Sequence, residues 1–146
     1  MSHELPNPAR IVLHRRIEWI DTDAAGIYHW TTAFRLAEAA EAALHTALGI
    51  ADRTFGATPR VSVAAQFDRP LRFNDPVEVE LAVEAVGRSS VRYSLAITGP
   101  DGPAMSGQVT ACLIDRDSRR AVAWPDDMQA LLVNGGTSAA DGDGDA

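Results

Sequence analysis

One segment of the chain, residues 31–48, repeats apolar side chains at steps of three and four, the spacing of one face of a helix. It predicts a helix from Thr31 to Leu48 that is capped at its start by Thr31 or Thr32 and ended by Gly49. Much of the face is alanine, so a curved sheet can approach the helix closely. The residues of this face are Trp30, Ala33, Phe34, Ala37, Ala40, Leu44, Ala47 and Leu48.

Most of the remaining sequence alternates apolar and polar side chains, which is typical of strands. The pattern predicts one strand over 10–20, before the helix, and four strands over 60–67, 77–86, 91–98 and 104–115. Turn residues lie at 87–90 and 99–103, and a short helix is predicted from 126 to about 132. One long helix against one antiparallel sheet is an α+β architecture.

The length of 146 residues corresponds to one domain, for which we predict the bounds 10–133. Residues 1–9 are expected to form a flexible arm, and 134–146, rich in Gly, Asp, Ser and Ala, a disordered tail. No apolar run is long enough to span a membrane, and the first residues lack the apolar core of a signal peptide. These features favour a cytoplasmic protein.

The charged residues exclude several classes of function. All 13 basic residues are arginine, so a lysine Schiff base, a P-loop and a pyridoxal-phosphate enzyme are excluded. The net charge of −7 argues against a nucleic-acid partner. The four histidines and single cysteine are scattered without zinc-ligand spacing, so no zinc site is predicted.

The segment DTDAAGIYHW at 21–30 places two carboxylates, Asp21 and Asp23, just ahead of the predicted helix. The first turn of a helix presents unpaired N–H groups and a partial positive charge, which polarise a carbonyl placed there. A nearby carboxylate can attack that carbonyl or activate a water, and Gly26 leaves room for the backbone to approach. This arrangement suits acyl transfer, although both acids could instead form Asx-turns.

Three motifs in order resemble those of a known enzyme family. DTDAAGI at 21–27 resembles the opening motif of the hotdog-fold thioesterases, while FDRPLRFNDPV at 67–77 and GRSSV at 87–91 resemble two of their later turns. The match is best with the 4-hydroxybenzoyl-CoA thioesterase-like branch, which includes acyl-CoA thioesterases associated with the Tol-Pal system. The resemblance spans residues 10–132 and implies a single hotdog fold, an antiparallel sheet wrapped around one long central helix.

The resemblance implies a role for each residue of the motif. Asp23 matches the catalytic carboxylate, which acts as nucleophile or as general base. The backbone N–H of Trp30 matches the oxyanion donor, Gly26 shapes the loop, and Asp21 holds it. Glu38 falls where relatives carry an acid on the helix, and it is either a second catalytic group or a solvated carboxylate.

The resemblance also implies substrate contacts. The turn Arg88-Ser89-Ser90 matches the site for the pantetheine and phosphates of CoA, and Arg116, Arg119 and Arg120 form a second basic cluster. Where many relatives carry Tyr and His, this chain has His29 and Trp30, and Ala33 replaces a helix tyrosine. These exchanges should reshape the acyl pocket, with His29 lining it or serving a structural role. The predicted lining residues are Tyr28, His29, Trp30, Phe34 and Phe67.

The implied function is hydrolysis of an acyl-CoA or acyl-carrier-protein thioester by a homodimer or homotetramer with its sites at the dimer interface. The resemblance implies neither a metal nor an organic cofactor. Two alternatives remain. One is a non-catalytic acyl-thioester-binding or scaffold protein of the same fold, which the exchanges at His29 and Ala33 allow. The other is a hotdog dehydratase, which is disfavoured because no Asp-x-x-x-x-His lies in the expected setting.

Overall fold

A computed structural model describes residues 4–139. It contains one five-stranded antiparallel sheet and one long helix, which confirms the predicted α+β class. The strands are β1 (Arg10–Arg16), β2 (Arg60–Phe67), β3 (Pro76–Val86), β4 (Ser90–Gly99) and β5 (Gly102–Cys112). The helices are α1 (Trp30–Leu48), α2 (Ala51–Thr54) and α3 (Asp126–Asn134), and a single 3₁₀ turn covers Trp19–Asp21.

The long helix α1 ends as predicted but begins differently. Gly49 follows it with a left-handed φ of 75°, and its N–H donates to the carbonyls of His45 and Thr46. At the start, the predicted cap at Thr31 or Thr32 is wrong, because the ring of His29 accepts the Thr31 N–H. A histidine nitrogen can serve here because His29 takes the extended backbone of a cap residue.

The strand bounds differ from the prediction mainly in β1 and β5. β1 ends at Arg16, because the chain then turns through the 3₁₀ turn instead of extending to Ile20. β5 begins at Gly102 and ends at Cys112, beyond which Ile114 bridges Ala121 across a short loop. The four-residue helix α2 was not predicted, because a single turn leaves no periodic pattern in a sequence.

Helix α1 covers only one half of the sheet. The strands run in the order β1-β3-β4-β5-β2, and α1 makes its main strand contacts with β1 and β3. Its buried face is rotated relative to the predicted one, because Leu36 is buried while Trp30 and Ala47 are exposed. The edge strand β2 is left uncovered, and every one of its residues is exposed, whereas its neighbour β5 contributes buried residues to the core.

The two chain ends pack together beside β1. The Ala9 N–H donates to the Leu132 carbonyl at 3.0 Å, and Arg10 forms a parallel bridge with Thr137. The described parts of the predicted arm and tail are therefore hydrogen-bonded, while residues 1–3 and 140–146 lie outside the described range. Between residues 4 and 139, no helix is both long and apolar enough to cross a bilayer.

Candidate active site

The DTD segment folds into a small hairpin ahead of α1. Thr22 and Tyr28 form its bridge, and the Asp23 N–H donates to the Ile27 carbonyl at 2.9 Å. The turn closes where the Gly26 N–H donates to the Asp23 carbonyl at 3.0 Å. Gly26 has φ of +80°, and an added Cβ would meet no atom within 4 Å. Glycine is therefore required here by the left-handed backbone conformation. Within the described chain, no other group comes close enough to Gly26 to exclude a side chain.

Asp21 holds this hairpin in place, the role that the sequence predicts for it. Its side chain is buried, accepts the Glu18 N–H at 2.8 Å, and pairs with Arg35 of α1 at 2.6 Å. Its carbonyl oxygen accepts the His29 N–H and the Thr32 hydroxyl. Asp21 thus links the hairpin to the first turns of α1 and fixes where the helix begins relative to Asp23.

Asp23 is exposed and faces a cavity of about 480 Å³. One carboxylate oxygen, Oδ1, accepts the Ala25 N–H at 2.8 Å, so the predicted Asx-turn is present as well. Among the described residues, no hydrogen bond uses the other oxygen, Oδ2, which is available to a ligand. The cavity is lined by Asp23, Ile27, Tyr28, Trp30, Phe67, Asp68, Arg69 and Pro70.

The start of α1 supplies a hydrogen-bond donor at this cavity. The His29 ring accepts the Thr31 N–H at 3.2 Å, and the His29 carbonyl accepts the Thr32 N–H at 2.9 Å. Within residues 4–139, the Trp30 N–H is left without an acceptor. An unpaired N–H in the first turn, backed by the helix dipole, is suited to bind a carbonyl oxygen or an oxyanion.

Tyr28 and Phe67 form the apolar wall of the same cavity. Their rings lie 6.3 Å apart in a T-shaped arrangement. Tyr28 is 5% exposed, and its hydroxyl has no hydrogen-bond partner in the described chain. Burial, and secondly the charge of Asp68, raise the pKa of this phenol above its ordinary value. Tyr28 therefore stays protonated, and its hydroxyl is a donor that no group of residues 4–139 uses.

A second cavity of about 380 Å³ lies between α1 and the face formed by strands β2 to β5. Trp30 lines both cavities, so the second one is the neighbour of the Asp23 cavity. Phe34 lies here as predicted, whereas Glu38 is separated from Asp23 and belongs to this second cavity. The lining residues are Trp30, Phe34, Ala37, Glu38, Glu41, Arg60, Val63, Leu81, Tyr93 and Val109.

A buried polar group at the floor of this second cavity was missed by the sequence interpretation. The His45 ring contacts the Tyr93 hydroxyl at 2.6 Å and the Thr54 hydroxyl at 2.7 Å. Glu41, also buried, pairs with Arg60 at 2.9 Å, and burial raises the pKa of its carboxyl. Glu41 and His45 lie four residues apart on the apolar face of α1, a signal that could have revealed them.

We expect the free energy of unfolding to fall as the pH is lowered from about 6.5 towards 4. Burial, and then the charge of Arg60, lower the pKa of His45 to about 4. Between these pH values, His45 is protonated in the unfolded chain but neutral in the folded protein. The contribution of neutral His45 to the free energy of unfolding is therefore complete above about pH 6.5 and is lost as the pH falls towards 4. Its full size is roughly 3 kcal/mol. Urea unfolding across this pH range measures the loss.

Two variants separate His45 from other titrating groups. His45→Gln should flatten the pH dependence between these limits, and His14→Gln, an exposed histidine, should leave it unchanged. Glu41 contributes a slope of the opposite sign in every variant, because its pKa is raised. A His45 ring that titrates near pH 6.5 in proton NMR would contradict the prediction.

The predicted CoA-binding turn does not lie at the Asp23 cavity of the same chain. Ser90 pairs with Cys112 at one end of β5, whereas Phe67 pairs with Met105 near the other. The Arg88 and Ser89 carbonyls accept the Trp124 and Leu113 N–H groups, which fixes the turn at that distant end. Among residues 4–139, no three His, Cys, Asp or Glu side chains are grouped to hold a metal ion.

Comparison with known proteins identifies the family. The family model described as the thioesterase-like superfamily matches residues 16–132, which is most of the chain. The chain belongs to this superfamily. This thioesterase-like protein is 27% identical over 124 residues to a 1,4-dihydroxy-2-naphthoyl-CoA hydrolase of Synechococcus elongatus, covering 81% of this chain and 91% of that one.

Solved structures share its fold. A 1,4-dihydroxy-2-naphthoyl-CoA thioesterase from Synechocystis is similar with a TM-score of 0.74 and 17% identity, covering 84% of this chain and 95% of that one. A gentisyl-coenzyme A thioesterase is similar with a TM-score of 0.73 and 23% identity, covering 84% and 99%. The predicted superfamily and hotdog fold are confirmed, and the names of these relatives support the prediction of a thioester hydrolase.

Proposed function

We propose that this thioesterase-like protein hydrolyses the thioester bond of an acyl-CoA, with Asp23 as its catalytic carboxylate. The observation that carries the proposal is the cavity in which the free oxygen of Asp23 and the start of α1 at Trp30 lie together. One group activates the attacking oxygen and the other receives the charge that develops on the carbonyl. The named relatives, each a hydrolase of a CoA thioester, support the same class of substrate.

Two groups of the protein take part in the proposed reaction, the Trp30 N–H and the Asp23 carboxylate. The thioester carbonyl oxygen accepts the Trp30 N–H, which leaves the carbonyl carbon facing Asp23. Asp23 attacks that carbon directly, or takes a proton from a water that attacks it, and either route forms a new C–O bond. The C–S bond then breaks, and CoA leaves as a thiolate that takes up a proton. On the first route, a water then hydrolyses the anhydride formed with Asp23, which releases the free acid and restores the carboxylate. A helix N-terminus stabilises the intermediate oxyanion because its dipole is already oriented.

The second cavity is the proposed acyl pocket. It opens directly from Trp30, and apolar side chains from α1 and four strands form most of its wall. The indole of Trp30 and the ring of Phe34 stand at its entrance, 5.8 Å apart. Ala37 also lines the pocket, where its small side chain leaves space beside these rings.

We propose a homodimer formed by the edge strand β2. This strand ends the sheet, all eight of its residues are exposed, and Val61, Val63 and Phe67 leave apolar surface uncovered. An edge of this length with a single charged residue is a template for pairing with another strand. The opposite edge, β1, carries three arginines and is covered in part by the chain ends. A twofold axis would pair two β2 strands antiparallel.

The test is release of thiol from a panel of aromatic, short aliphatic and long aliphatic acyl-CoAs. At least one CoA ester should be hydrolysed faster than any matching carrier-protein thioester, because the net charge of −7 repels an acidic carrier. Mass spectrometry should find only the free acid and CoA. Binding without hydrolysis of any thioester would instead identify a non-catalytic acyl-binding protein, and loss of water from a hydroxyacyl ester would identify a dehydratase.

A further inference from the structure

The histidine that caps α1 also joins the helix to the Asp23 hairpin. The His29 N–H donates to the carbonyl of Asp21 at 2.6 Å, and the His29 carbonyl accepts the Thr32 N–H at 2.9 Å. The ring completes the junction, because its Nδ1 accepts the Thr31 N–H at 3.2 Å. His29 takes an extended backbone, with φ of −68° and ψ of 141°. Its backbone and its side chain are therefore both fixed at the point where the helix begins.

These contacts decide which donor of the first turn stays free. A helix begins with N–H groups that no carbonyl of its own accepts. The ring of His29 accepts the donor of Thr31, and the carbonyl of His29 accepts that of Thr32. Within the described part of the chain, the Trp30 N–H has no acceptor. The cap thus leaves the Trp30 donor to a ligand of the cavity in which Asp23 lies.

The contact between the ring and Thr31 requires one protonation state of His29. A backbone N–H can only donate, so the Nδ1 that accepts it carries no proton. The Thr31 hydroxyl, 2.7 Å from the same nitrogen, shares this lone pair as a second donor. The ring is therefore neutral, with its proton on Nε2. An imidazolium has protons on both nitrogens and cannot serve as this cap.

The His29 ring also lies against the side chain of Trp30. The two ring centroids are 5.8 Å apart, and the ring planes are inclined by 33°. The indole is in turn 5.8 Å from the ring of Phe34, one turn further along α1. His29 therefore has two properties that need separate tests, the acceptor at Nδ1 and the aromatic packing against Trp30.

We infer that His29 is a positioning residue of the proposed reaction, which in its neutral form caps α1 so that the Trp30 N–H is held at the thioester carbonyl. His29 is not among the described residues that line the Asp23 cavity, so it acts through the helix start and not on the substrate. Without an acceptor at position 29 the first turn frays, and the Trp30 N–H is less often in place to stabilise the oxyanion. The inference rests on the proposed function.

The first test separates the acceptor of His29 from its ring. His29→Asn supplies a side-chain oxygen that caps helices well but has no ring, whereas His29→Phe keeps an aromatic ring beside Trp30 and has no acceptor. With the CoA ester that is hydrolysed fastest, His29→Phe and His29→Ala should lower kcat about 5- to 30-fold and change KM by no more than about threefold. His29→Asn should keep kcat within about threefold of the wild type. A His29→Asn enzyme as slow as His29→Ala, or a His29→Phe enzyme with the wild-type kcat, overturns the inference.

Ala42→Gly is the matched control for a loss of helix stability. Ala42 lies in the middle of α1 and does not line the cavities at Asp23 and Trp30, and glycine there costs about as much stability as the loss of a cap. This variant should melt at about the same temperature as His29→Ala but keep the wild-type kcat. If Ala42→Gly is as slow as His29→Ala, the effect belongs to the stability of the helix as a whole, and the inference is overturned.

The second test observes the cap without hydrolysis. Nitrogen NMR of the wild type should show that the proton of the neutral His29 ring is on Nε2. Amide hydrogen exchange at Thr31 should be at least about tenfold faster in His29→Ala than in the wild type and in His29→Asn, because the N–H loses its acceptor. A ring proton on Nδ1, or the same exchange rate in all of these proteins, overturns the inference.

The closing experiment adds a ketone analogue of an acyl-CoA, in which a methylene group replaces the sulfur. Its carbonyl oxygen should shift the Trp30 N–H resonance in the wild type and in His29→Asn, and at most about half as far in His29→Ala. An equal shift in His29→Ala would overturn the role of His29 alone. No shift in the wild type would instead overturn the placement of the carbonyl at Trp30, and with it both the proposed function and this inference.

Discussion

Asp23→Asn is expected to lower kcat for thiol release at least about 100-fold, because it removes the group that attacks the carbonyl or activates water. The Asx-turn should survive, since the asparagine side-chain oxygen can still accept the Ala25 N–H that Asp23 accepts at 2.8 Å. The loss should therefore appear without a change in thermal stability. Stopped assays of free thiol with the best CoA ester, together with a melting curve, measure both.

Asp68→Asn is the matched control for this variant. Asp68 is an exposed acid of the same cavity, but it follows β2 and does not belong to the hairpin that leads into α1. Its replacement should change kcat by no more than about threefold, since within residues 4–139 its side chain forms no hydrogen bond with the hairpin or the helix start. If Asp23→Asn and Asp68→Asn have equal activities close to the wild type, the catalytic carboxylate is another residue, and Glu38 of the neighbouring cavity is next to be tested.

Ala64→Glu is expected to convert the dimer into a monomer and to lower kcat/KM for the CoA ester at least about tenfold. Ala64 lies in the middle of β2, and a twofold axis through that strand would bring two glutamates close together. Ala64 does not line the cavities at Asp23 or at Trp30 and Phe34, so the substitution acts on these sites only through the subunit contact. Light scattering and the thiol assay measure the two effects.

Ala96→Glu provides the same substitution in the middle of the sheet. Ala96 is exposed on β4, which already has a neighbouring strand on either side. This variant should keep the wild-type mass and activity. A dimeric Ala64→Glu with full activity would show that β2 is not the association edge, whereas a monomeric wild type would contradict the proposed dimer altogether.

Much of the active-site hairpin could be predicted because its structure depends on neighbours in the sequence. Residues Asp23 to Gly26 form a turn that is closed by a hydrogen bond between its first and last residues. Gly26 takes a left-handed φ in this turn, which depends on the local backbone and not on distant parts of the chain. The end of α1 at Gly49 depends on the same property of glycine. The start of α1 was predicted less well, because threonines are common caps and the histidine at position 29 took that place.

The walls of the site could not be predicted from local pattern. In the sequence, Glu41 looks like any other carboxylate of the helix. Its partner Arg60 comes within 2.9 Å only because β2 packs beside α1 in the folded chain. His45 likewise acquires its contact with Tyr93 from a strand 48 residues away. Periodicity shows which residues share a face of one element, but it does not show which element will face them.

The sequence by itself determined the helix, the alternating strands, the turn chemistry of the DTD segment and the absence of lysine, because each follows from residue type and short spacing. Only the tertiary structure decided that α1 covers one half of the sheet, that β2 is left exposed, and that Arg88 and Asp23 lie at opposite ends. The reason is that strand order and helix position arise from burial of apolar faces across the whole chain. No short segment of the sequence encodes that arrangement alone.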